Sequence, residues 1–246
     1  MTSSAPTLRV LDWDSLFFGR RIATVVGEPR DREDITGVIA AASAQGVECI
    51  YALSDLGNTA AIQALESVEA RLVDVRMTFE RGLPVPEVPH SESAIRAARE
   101  SDIPALRQLA AASHGSSRFY SDGRFPKLLC DEMFATWIER SCSGWADTVQ
   151  VAEIDGLVSG YTTGHVREDA RGEIGLVAVD PRAQGHGLGA KLVAATLEDL
   201  RRRGARNATV VTQGRNLAAQ RLYQGQGFRT QRVQTWHHLW LDEARP

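Results

Sequence analysis

The stretch from Val177 to Leu192, VAVDPRAQGHGLGAKL, decides how the rest of the chain is interpreted. A β-branched run leads into three glycines at alternate positions, Gly185, Gly187 and Gly189, and apolar residues at helical spacing follow. Glycine weakens helices, so three glycines directly before one require a reason. Free N–H groups and the positive end of a helix dipole attract phosphate, and glycine lets an anion approach. The stretch predicts a phosphate-binding strand–loop–helix unit, with a plain glycine turn as the alternative.

Two familiar nucleotide-binding motifs do not fit this loop. The spacing Gly185-x-Gly187-x-x-Ala190 matches the loose dinucleotide pattern, but that fold places the motif in the first unit of a parallel sheet. Here the preceding strands are predicted to be antiparallel, and the next strand ends in Thr212-Gln213 without a carboxylate for a ribose. The G-x-x-x-x-G-K-S/T sequence of the phosphate-binding P-loop is also missing.

Hydrophobic periodicity predicts an ordered series of elements on both sides of the loop. Before it we expect a strand, two helices separated by a polar loop, and a three-stranded antiparallel meander. In chain order these are residues 94–98, 101–110, 113–124 (the loop), 126–141, 148–154, 157–166 and 173–179. After the loop we expect a helix that ends at Gly204, a buried strand at 208–212, a short helix at 217–224, a Gly227-Phe228 turn and a last strand at 233–241.

A proline-rich segment divides the chain. Three prolines in residues 84–93 favour an extended linker between an α/β domain at 1–83 and a second domain at 94–246, although a surface loop within one domain is the alternative. The first part is predicted to contain strands at 8–11, 22–26, 48–53 and 71–79 and helices at 35–44 and 59–65. Its aromatic block, Trp13 to Gly19, is interpreted as a packed corner rather than one wall of a ligand cleft.

Composition excludes several classes of function. The 246 residues are 43% hydrophobic with a net charge of −3, which is typical of a globular protein without the basic field that nucleic acid requires. No apolar run is long enough to span a membrane and no basic, apolar leader opens the sequence, so a cytoplasmic location is expected. Cys49, Cys130 and Cys142 have neither disulfide nor zinc-site spacing, and no metal is expected.

The segment Gln184-Gly185-His186-Gly187-Leu188-Gly189 resembles the Q/R-x-x-G-x-G/A signature of the GNAT acyltransferases, the acetyl-CoA-dependent N-acetyltransferase superfamily. The order of predicted elements after about residue 93 is similar to that family's. The resemblance implies an α/β (α+β) fold: a central mixed, mostly antiparallel sheet flanked by helices, plus the smaller N-terminal domain. It also implies acetyl-CoA as co-substrate, a primary amine as acceptor and direct transfer without an acyl-enzyme.

The same resemblance implies positions for the cofactor. A bulge in the strand before the loop would free main-chain groups at Val177, Ala178 and Val179 for the pantetheine arm. The loop that would hold the diphosphate consists of Gln184, Gly185, His186, Gly187, Leu188, Gly189 and Ala190. The segment N-x-x-A-x-x-x-Y places Asn216 and Ala219 beside the CoA arm and Tyr223 beside the sulfur.

Two residues are candidates for proton transfer. Tyr223 would act as the general acid for the departing thiolate, with a core tyrosine as the alternative. Glu173 occupies the place of the general base in the histone acetyltransferases of the superfamily, and a solvated strand-end glutamate is an equal alternative.

The acceptor is the least determined feature. The W-D-S-x-F-F-G block and the R-F-Y segment resemble the two-domain sugar-nucleotide acetyltransferases, which implies an amino sugar of a nucleotide sugar as acceptor and suggests a homodimer. The candidate acceptor-binding residues are Arg118, Tyr120 and Trp236, since arginine pairs with phosphate and aromatic rings stack on sugars or bases. Alternatives are an amino acid, a polyamine, an antibiotic, a protein N-terminus, or a non-catalytic CoA-binding sensor.

Overall fold

The computed structural model describes residues 5–83 and 95–241, in which ten strands form one sheet. The strands are β1 (Thr7–Val10), β2 (Ile22–Val26), β3 (Cys49–Asp55), β4 (Arg71–Gly82), β5 (Ile95–Ala97), β6 (Thr148–Ile154), β7 (Leu157–Val166), β8 (Arg171–Val179), β9 (Asn207–Gln213) and β10 (Arg229–Trp240). The helices are α1 (Asp12–Phe18), α2 (Arg32–Ala44), α3 (Thr59–Glu66), α4 (Ile103–Ser113), α5 (Arg118–Asp122), α6 (Lys127–Arg140), α7 (Leu188–Arg202) and α8 (Leu217–Gly225).

The sheet is mixed and mostly antiparallel, which confirms the predicted fold class. Its order is β1-β2-β3-β10-β4-β9-β8-β7-β6-β5, and among these neighbours β2–β3 and β8–β9 run parallel. The predicted meander is present as β6, β7 and β8. Among the helices of the described ranges, none has the length and apolar character that crossing a bilayer requires.

Helices cover both faces of the sheet. Neighbouring residues Ile50 and Tyr51 of β3 point to opposite faces. Ile50 packs in a core with residues of α2 and α3, whereas Tyr51 packs in a larger core with residues of α1, α4, α5 and α6. A further core, which includes Ile174 of β8, joins α7 and α8 to the sheet. The sheet thus carries helical layers on both sides, and the site described below opens where one pair of strands separates.

Two short helices were not predicted. The aromatic block forms α1, with Trp13, Phe17 and Phe18 packed in the core as expected, and the polar loop at 113–124 contains α5. Both helices end at a glycine with positive φ, Gly19 at +64° and Gly123 at +78°. Helices this short do not display the repeated apolar spacing from which longer helices are predicted.

Strands from both sides of the proline-rich segment alternate within the sheet. The C-terminal strand β10 lies between β3 and β4, and β4 in turn pairs with β9 over Arg76 to Gly82. The linker at 84–93 lies outside the described residues, so the division into two domains stays a prediction. The interleaving nevertheless places β4 and β10 beside the predicted catalytic strands.

A bulge separates β8 from β9, as the resemblance implied. Thr162 pairs with Val177 and Gly164 with Ile174, so β8 carries one extra residue there. A side chain at Gly175 would place its Cβ 2.7 Å from Thr163 Oγ1, so any larger residue would force Thr163 or the strand to shift. The parallel pairing of β8 with β9 ends at Ile174 and Val210, which leaves the last residues of β8 without a strand on that side.

Candidate active site

A cavity of about 860 Å³ opens where β8 and β9 separate. It extends across four neighbouring strands, from β8 through β9 and β4 to β10, and is closed by the loop before α7 and by residues of α8 and α5. Its volume lies in the range of cofactor and small-molecule sites. The cavity therefore has two ends, one at the glycine loop and one at β4 and β10.

The glycine loop presents backbone N–H groups to the first end. Gly185 and Gly187 have φ of +83° and +73°, and Gly187 is the N-cap of α7. Within residues 5–83 and 95–241, none of the N–H groups from Gly185 to Ala190 donates a hydrogen bond to another residue. Such groups at a helix N-terminus form an anion-binding site.

Most of the predicted cofactor residues line this end of the cavity. They are Val177, Ala178, Val179, Gln184, Gly185, Gly187, Leu188, Gly189, Ala190, Asn216, Ala219 and Tyr223. Gln184 Nε2 donates to the Val179 carbonyl at 3.0 Å and so ties the loop to the end of β8. His186 is not among the lining residues; it is exposed, and its Nδ1 lies 2.9 Å from the Gln184 carbonyl oxygen. Its role at the cofactor stays a prediction.

Helix α8 supplies three of these residues from its first two turns. The Asn216 side chain caps the helix, because its Oδ1 accepts a hydrogen bond from the Ala219 N–H at 3.1 Å. Tyr223, two turns on, is 4% exposed and packs against the rings of Phe79 and Phe228. Burial raises the pKa of the Tyr223 phenol, so the hydroxyl holds its proton at neutral pH.

Glu173 lies outside the cavity lining. Its carboxylate forms an ion pair with Arg167, with Nη2 to Oε2 at 2.7 Å, on a partly exposed part of β8. The bulge turns the following residues toward the cavity, but Glu173 precedes it. The role of Glu173 as general base stays a prediction, and its position outside the cavity lining does not favour that role.

Arg118 and Trp236 meet at the second end of the cavity. The Arg118 guanidinium lies over the rings of Tyr51, Phe119 and Trp236, at 4.6, 4.2 and 4.4 Å from their centroids. Its Nε donates to His238 Nε2 at 3.3 Å, and burial lowers the pKa of Arg118. The arginine is thus held in place by aromatic rings rather than by a carboxylate, and its charge faces the cavity.

Tyr120 does not line the cavity. Its hydroxyl donates to Asp131 Oδ1 at 2.7 Å, and its ring stacks on Phe134. Its predicted role in acceptor binding stays a prediction.

Three lining residues with charged or titratable side chains were missed by the sequence analysis: Asp74, Arg76 and His114. Asp74 is 4% exposed and is the partner of Trp236 in the pairing of β4 with β10. Within the described residues its Oδ1 has no hydrogen-bond partner, and the nearest cation, Arg215 Nε, is 3.8 Å away. Burial raises the pKa of this carboxyl to about 6, against the opposite effects of Arg215 and of Arg118.

One signal for Asp74 is present in the sequence. Aspartate is depleted in strands, yet it stands within the β-branched run RLVDVRMTFE, two residues before Arg76 and therefore on the same face. A solvated strand face would give the same pattern, so the signal alone is weak. No such signal in the sequence indicates His114. Its ring stacks on Phe134, its Nε2 lies 2.9 Å from Tyr161 Oη, and burial lowers its pKa to about 4.

The family model for "Acetyltransferase (GNAT) family" matches residues 94–228, more than half of the chain. This chain belongs to the acetyltransferase (GNAT) family. The acetyltransferase is 30% identical to the dTDP-fucosamine acetyltransferase of Escherichia coli O6:H1 over 232 residues, which are 94% of this chain and 96% of that protein. It is 31% identical to the spore coat polysaccharide biosynthesis protein SpsD of Bacillus subtilis over 139 residues, 56% of this chain and about half, 48%, of that protein.

A solved structure also resembles the acetyltransferase in fold. The GCN5-related N-acetyltransferase from Sphaerobacter thermophilus superposes with a TM-score of 0.68 and 19% identity, covering 98% of this chain and 78% of that one. The match includes the N-terminal strands, so it supports the arrangement of the whole sheet.

The arrangement is that of an enzyme that transfers an acetyl group to an amine, and family members generally use acetyl-CoA. Free main-chain donors lie at one end of the cavity and charged side chains at the other, with Tyr223 also on its wall. In the described part of the chain, no three His, Cys, Asp or Glu side chains group as metal ligands would.

Proposed function

We propose that this N-acetyltransferase binds acetyl-CoA along the end of β8 and the glycine loop and transfers its acetyl group to the primary amine of a nucleotide-linked amino sugar. The observation that carries the proposal is a set of N–H groups from Gly185 to Ala190 that have no partner among the described residues, in a loop that lines the same cavity as Tyr223.

The residues present fit coenzyme A. The loop N–H groups would hold its diphosphate, with Gln184 and His186 at the entrance. The unpaired edge from Val177 to Val179 would hydrogen-bond the amides of the pantetheine arm in the manner of an added strand. Bound there, the coenzyme supplies the acetyl group as a thioester.

Tyr223 would deliver a proton to the sulfur. Its raised pKa keeps the phenolic oxygen protonated at neutral pH, so the proton is available as the thiolate forms beside it. Asn216, whose side-chain oxygen caps α8, has its amide group left for the CoA arm, and the small Ala219 leaves room beside it.

The other end of the cavity supports an acidic, sugar-bearing acceptor. Arg118 and Arg76 bring positive charge that suits phosphate, and the Trp236 ring suits a sugar or base. The names of the two relatives, a dTDP-fucosamine acetyltransferase and a polysaccharide biosynthesis protein, agree with a nucleotide-linked amino sugar. For this acceptor class Tyr120 would act through Asp131 and helix α6 rather than by direct contact.

The test combines calorimetry with an amine panel. We expect acetyl-CoA to bind, and we expect dTDP-linked 4-amino-4,6-dideoxyhexoses to give the highest kcat/KM when free thiol release is measured. Matched controls are the same amino sugar without the nucleotide, an amino acid, a polyamine and an aminoglycoside. A higher kcat/KM for one of these would contradict the proposed acceptor, and binding without turnover on any amine would favour the sensor.

A further inference from the structure

We infer that Asp74 is the residue that binds the acceptor's ammonium group and removes its proton before attack. The inference rests on the proposed function and assigns the base for the same reaction.

Asp74 is the one acidic side chain among the described residues that line the cavity. Glu173, the predicted base, lies outside the lining and is already paired with Arg167. An amine that enters this cavity as an ammonium ion therefore meets a single carboxylate, and an ion pair with it is the strongest interaction available there.

One oxygen of the buried Asp74 carboxylate, Oδ1, accepts no hydrogen bond from the described residues. Aspartates buried to this degree are normally satisfied by hydrogen bonds or ion pairs, because an unsatisfied buried carboxylate costs stability. Asp74 Oδ1 has none among the described residues, although its side chain is only 5% exposed. A buried carboxylate oxygen that lacks a hydrogen bond and lies at a cavity is suited to bind a ligand that donates the missing hydrogen bond.

Among the described residues, one cation, Arg215, lies within ion-pair distance of Asp74, and its contact is long. Arg215 approaches to 3.8 Å from the segment after β9, but it donates to the Val73 carbonyl at 2.7 Å and to Ser121. Arg118 from α5 is held over aromatic rings, and Arg76, on the same strand, donates to Gln234. The one other titratable lining group, among those described, that bears on a pH profile is His114.

Its position on the sheet also suits the reaction. The strand order is β10, β4, β9, β8, so Asp74 on β4 is one strand away from the end of β9 and two from the unpaired edge of β8. An acceptor that rests on Trp236 and Arg118 can place its amine between Asp74 and the edge of β8. A carboxyl with a pKa near 6 is ionised at neutral pH and is a stronger base than an ordinary aspartate.

The proton balance of the step is closed. The ammonium gives one proton to Asp74, which passes it to solvent. As the new C–N bond forms and the C–S bond breaks, the nitrogen loses a second proton to solvent and the sulfur gains one from Tyr223. Solvent then returns a proton to the Tyr223 phenolate. One proton is released overall for each amide and free thiol formed.

The test is the pH profile of kcat/KM for the best acceptor, from pH 5 to 9, in wild type, Asp74→Asn, Asp74→Glu and the control Asp199→Asn. Asp199 is paired with Arg203 on α7, away from the cavity lining. We expect wild-type activity to fall below a pKa near 6. In Asp74→Asn, kcat/KM should be about 100-fold lower than in wild type at pH 7, which is the scale typical of a general base, and the acid limb, that is, the fall in activity near pH 6, should disappear. Its residual activity should rise with pH as free amine appears, Asp74→Glu should retain the limb, and Asp199→Asn should match wild type.

Several outcomes would overturn the inference. An acid limb near pH 6 that persists in Asp74→Asn would do so. A wild-type profile without any fall in activity down to pH 5 would also overturn it and would point to His114 instead, whose pKa is lowered to about 4. An equal loss at every pH would indicate a structural role. Acetyl-CoA affinity should be the same in all four proteins; failure of wild type to bind it or to acetylate any amine would instead contradict the proposed function.

Thermal unfolding supplies a readout that needs no activity. A carboxyl whose folded pKa is raised destabilises the fold when ionised, so its cost grows from the unfolded pKa near 4 to the folded pKa near 6 and is complete above it. Asp74→Asn removes that pH-dependent cost. The Tm of the variant relative to wild type should therefore be higher at pH 8 than at pH 5, and no change between these pH values would contradict a buried Asp74 that ionises near pH 6.

Discussion

The two ends of the cavity present different chemical groups, main-chain N–H groups at one end and charged side chains at the other. At the glycine loop, residues 185–190 offer main-chain N–H groups, and three of these six residues are glycines without a side chain. At the other end Asp74, Arg76 and Arg118 offer charged side chains that are buried or partly buried. The first arrangement suits a ligand part that every family member shares, whereas the second can change with the acceptor while the fold stays the same.

The difference predicts that substitutions will separate cofactor binding from acceptor binding. The loop end depends on backbone conformation, so its variants should change the affinity for acetyl-CoA. The charged end depends on individual side chains, so its variants should change the KM for the acceptor. Tyr223 lies with the cofactor residues, but its proposed proton transfer to the sulfur acts in the transition state, so loss of its hydroxyl should lower kcat and leave the affinity for acetyl-CoA unchanged.

Tyr223→Phe is expected to have the largest effect. The variant keeps the ring that packs on Phe79 and Phe228 but lacks the proton donor. We expect kcat to fall by about 10² to 10⁴-fold, the range typical of general acids, with an unchanged Kd for acetyl-CoA. Stopped-flow or steady-state thiol release measures the first and calorimetry the second. Activity close to that of wild type would remove the phenol from the mechanism.

Gly187→Glu should have the next largest effect, at the loop end. Gly187 has φ of +73°, which is strained for any other residue, and a carboxylate there would repel the diphosphate. We expect the Kd for acetyl-CoA to rise about 100-fold, or about 2.7 kcal/mol.

The matched control for this variant is Gly204→Glu, which introduces the same side chain at φ of +95° just after the other end of α7. Its strain is similar, but it lies outside the cavity lining. Equal losses of affinity in the two variants would mean that backbone strain, and not the anion site, is responsible.

Arg118→Met should have a smaller effect, confined to the acceptor end. The methionine retains much of the contact with the rings of Tyr51 and Trp236 but removes the charge. We expect the KM for a nucleotide-linked acceptor to rise about tenfold, which corresponds to the loss of one charge-assisted hydrogen bond. The KM for the same amino sugar without phosphate should hardly change. Parallel increases for both acceptors would show that Arg118 shapes the cavity rather than binds phosphate.

The same contrast explains what could be predicted from the sequence. The glycine-loop end of the cavity could be predicted from local spacing, because it is formed by one contiguous segment, Gln184 to Gly189. Asn216 and Tyr223, which lie seven residues apart and thus two helical turns from each other, complete it. The fold class and most elements followed from periodicity for the same reason. The charged end brings together β4, α5 and β10, whose pairing is long-range.

Nothing in the local sequence indicates that Trp236 pairs with Asp74. The two residues are far apart in the chain and become neighbours only because the last strand, β10, inserts into the middle of the sheet beside β4. The position of β10 between β3 and β4 was not predicted, and without it Asp74 is one acidic residue among 31 in the chain. Arg118 and Trp236 were predicted from their chemistry and a family resemblance, and their stacking at 4.4 Å could be seen only in three dimensions.

Glu173→Gln is expected to have the smallest effect and distinguishes the two candidate bases. Glu173 pairs with Arg167 on a partly exposed strand and does not line the cavity, and exposed ion pairs contribute little to stability. We expect kcat/KM to change less than about twofold across the pH range, since surface substitutions rarely have larger effects. If Glu173→Gln instead lost activity by two orders of magnitude and with it the acid limb near pH 6, proton removal would belong to β8. The acceptor end would then bind the amine without acting on it.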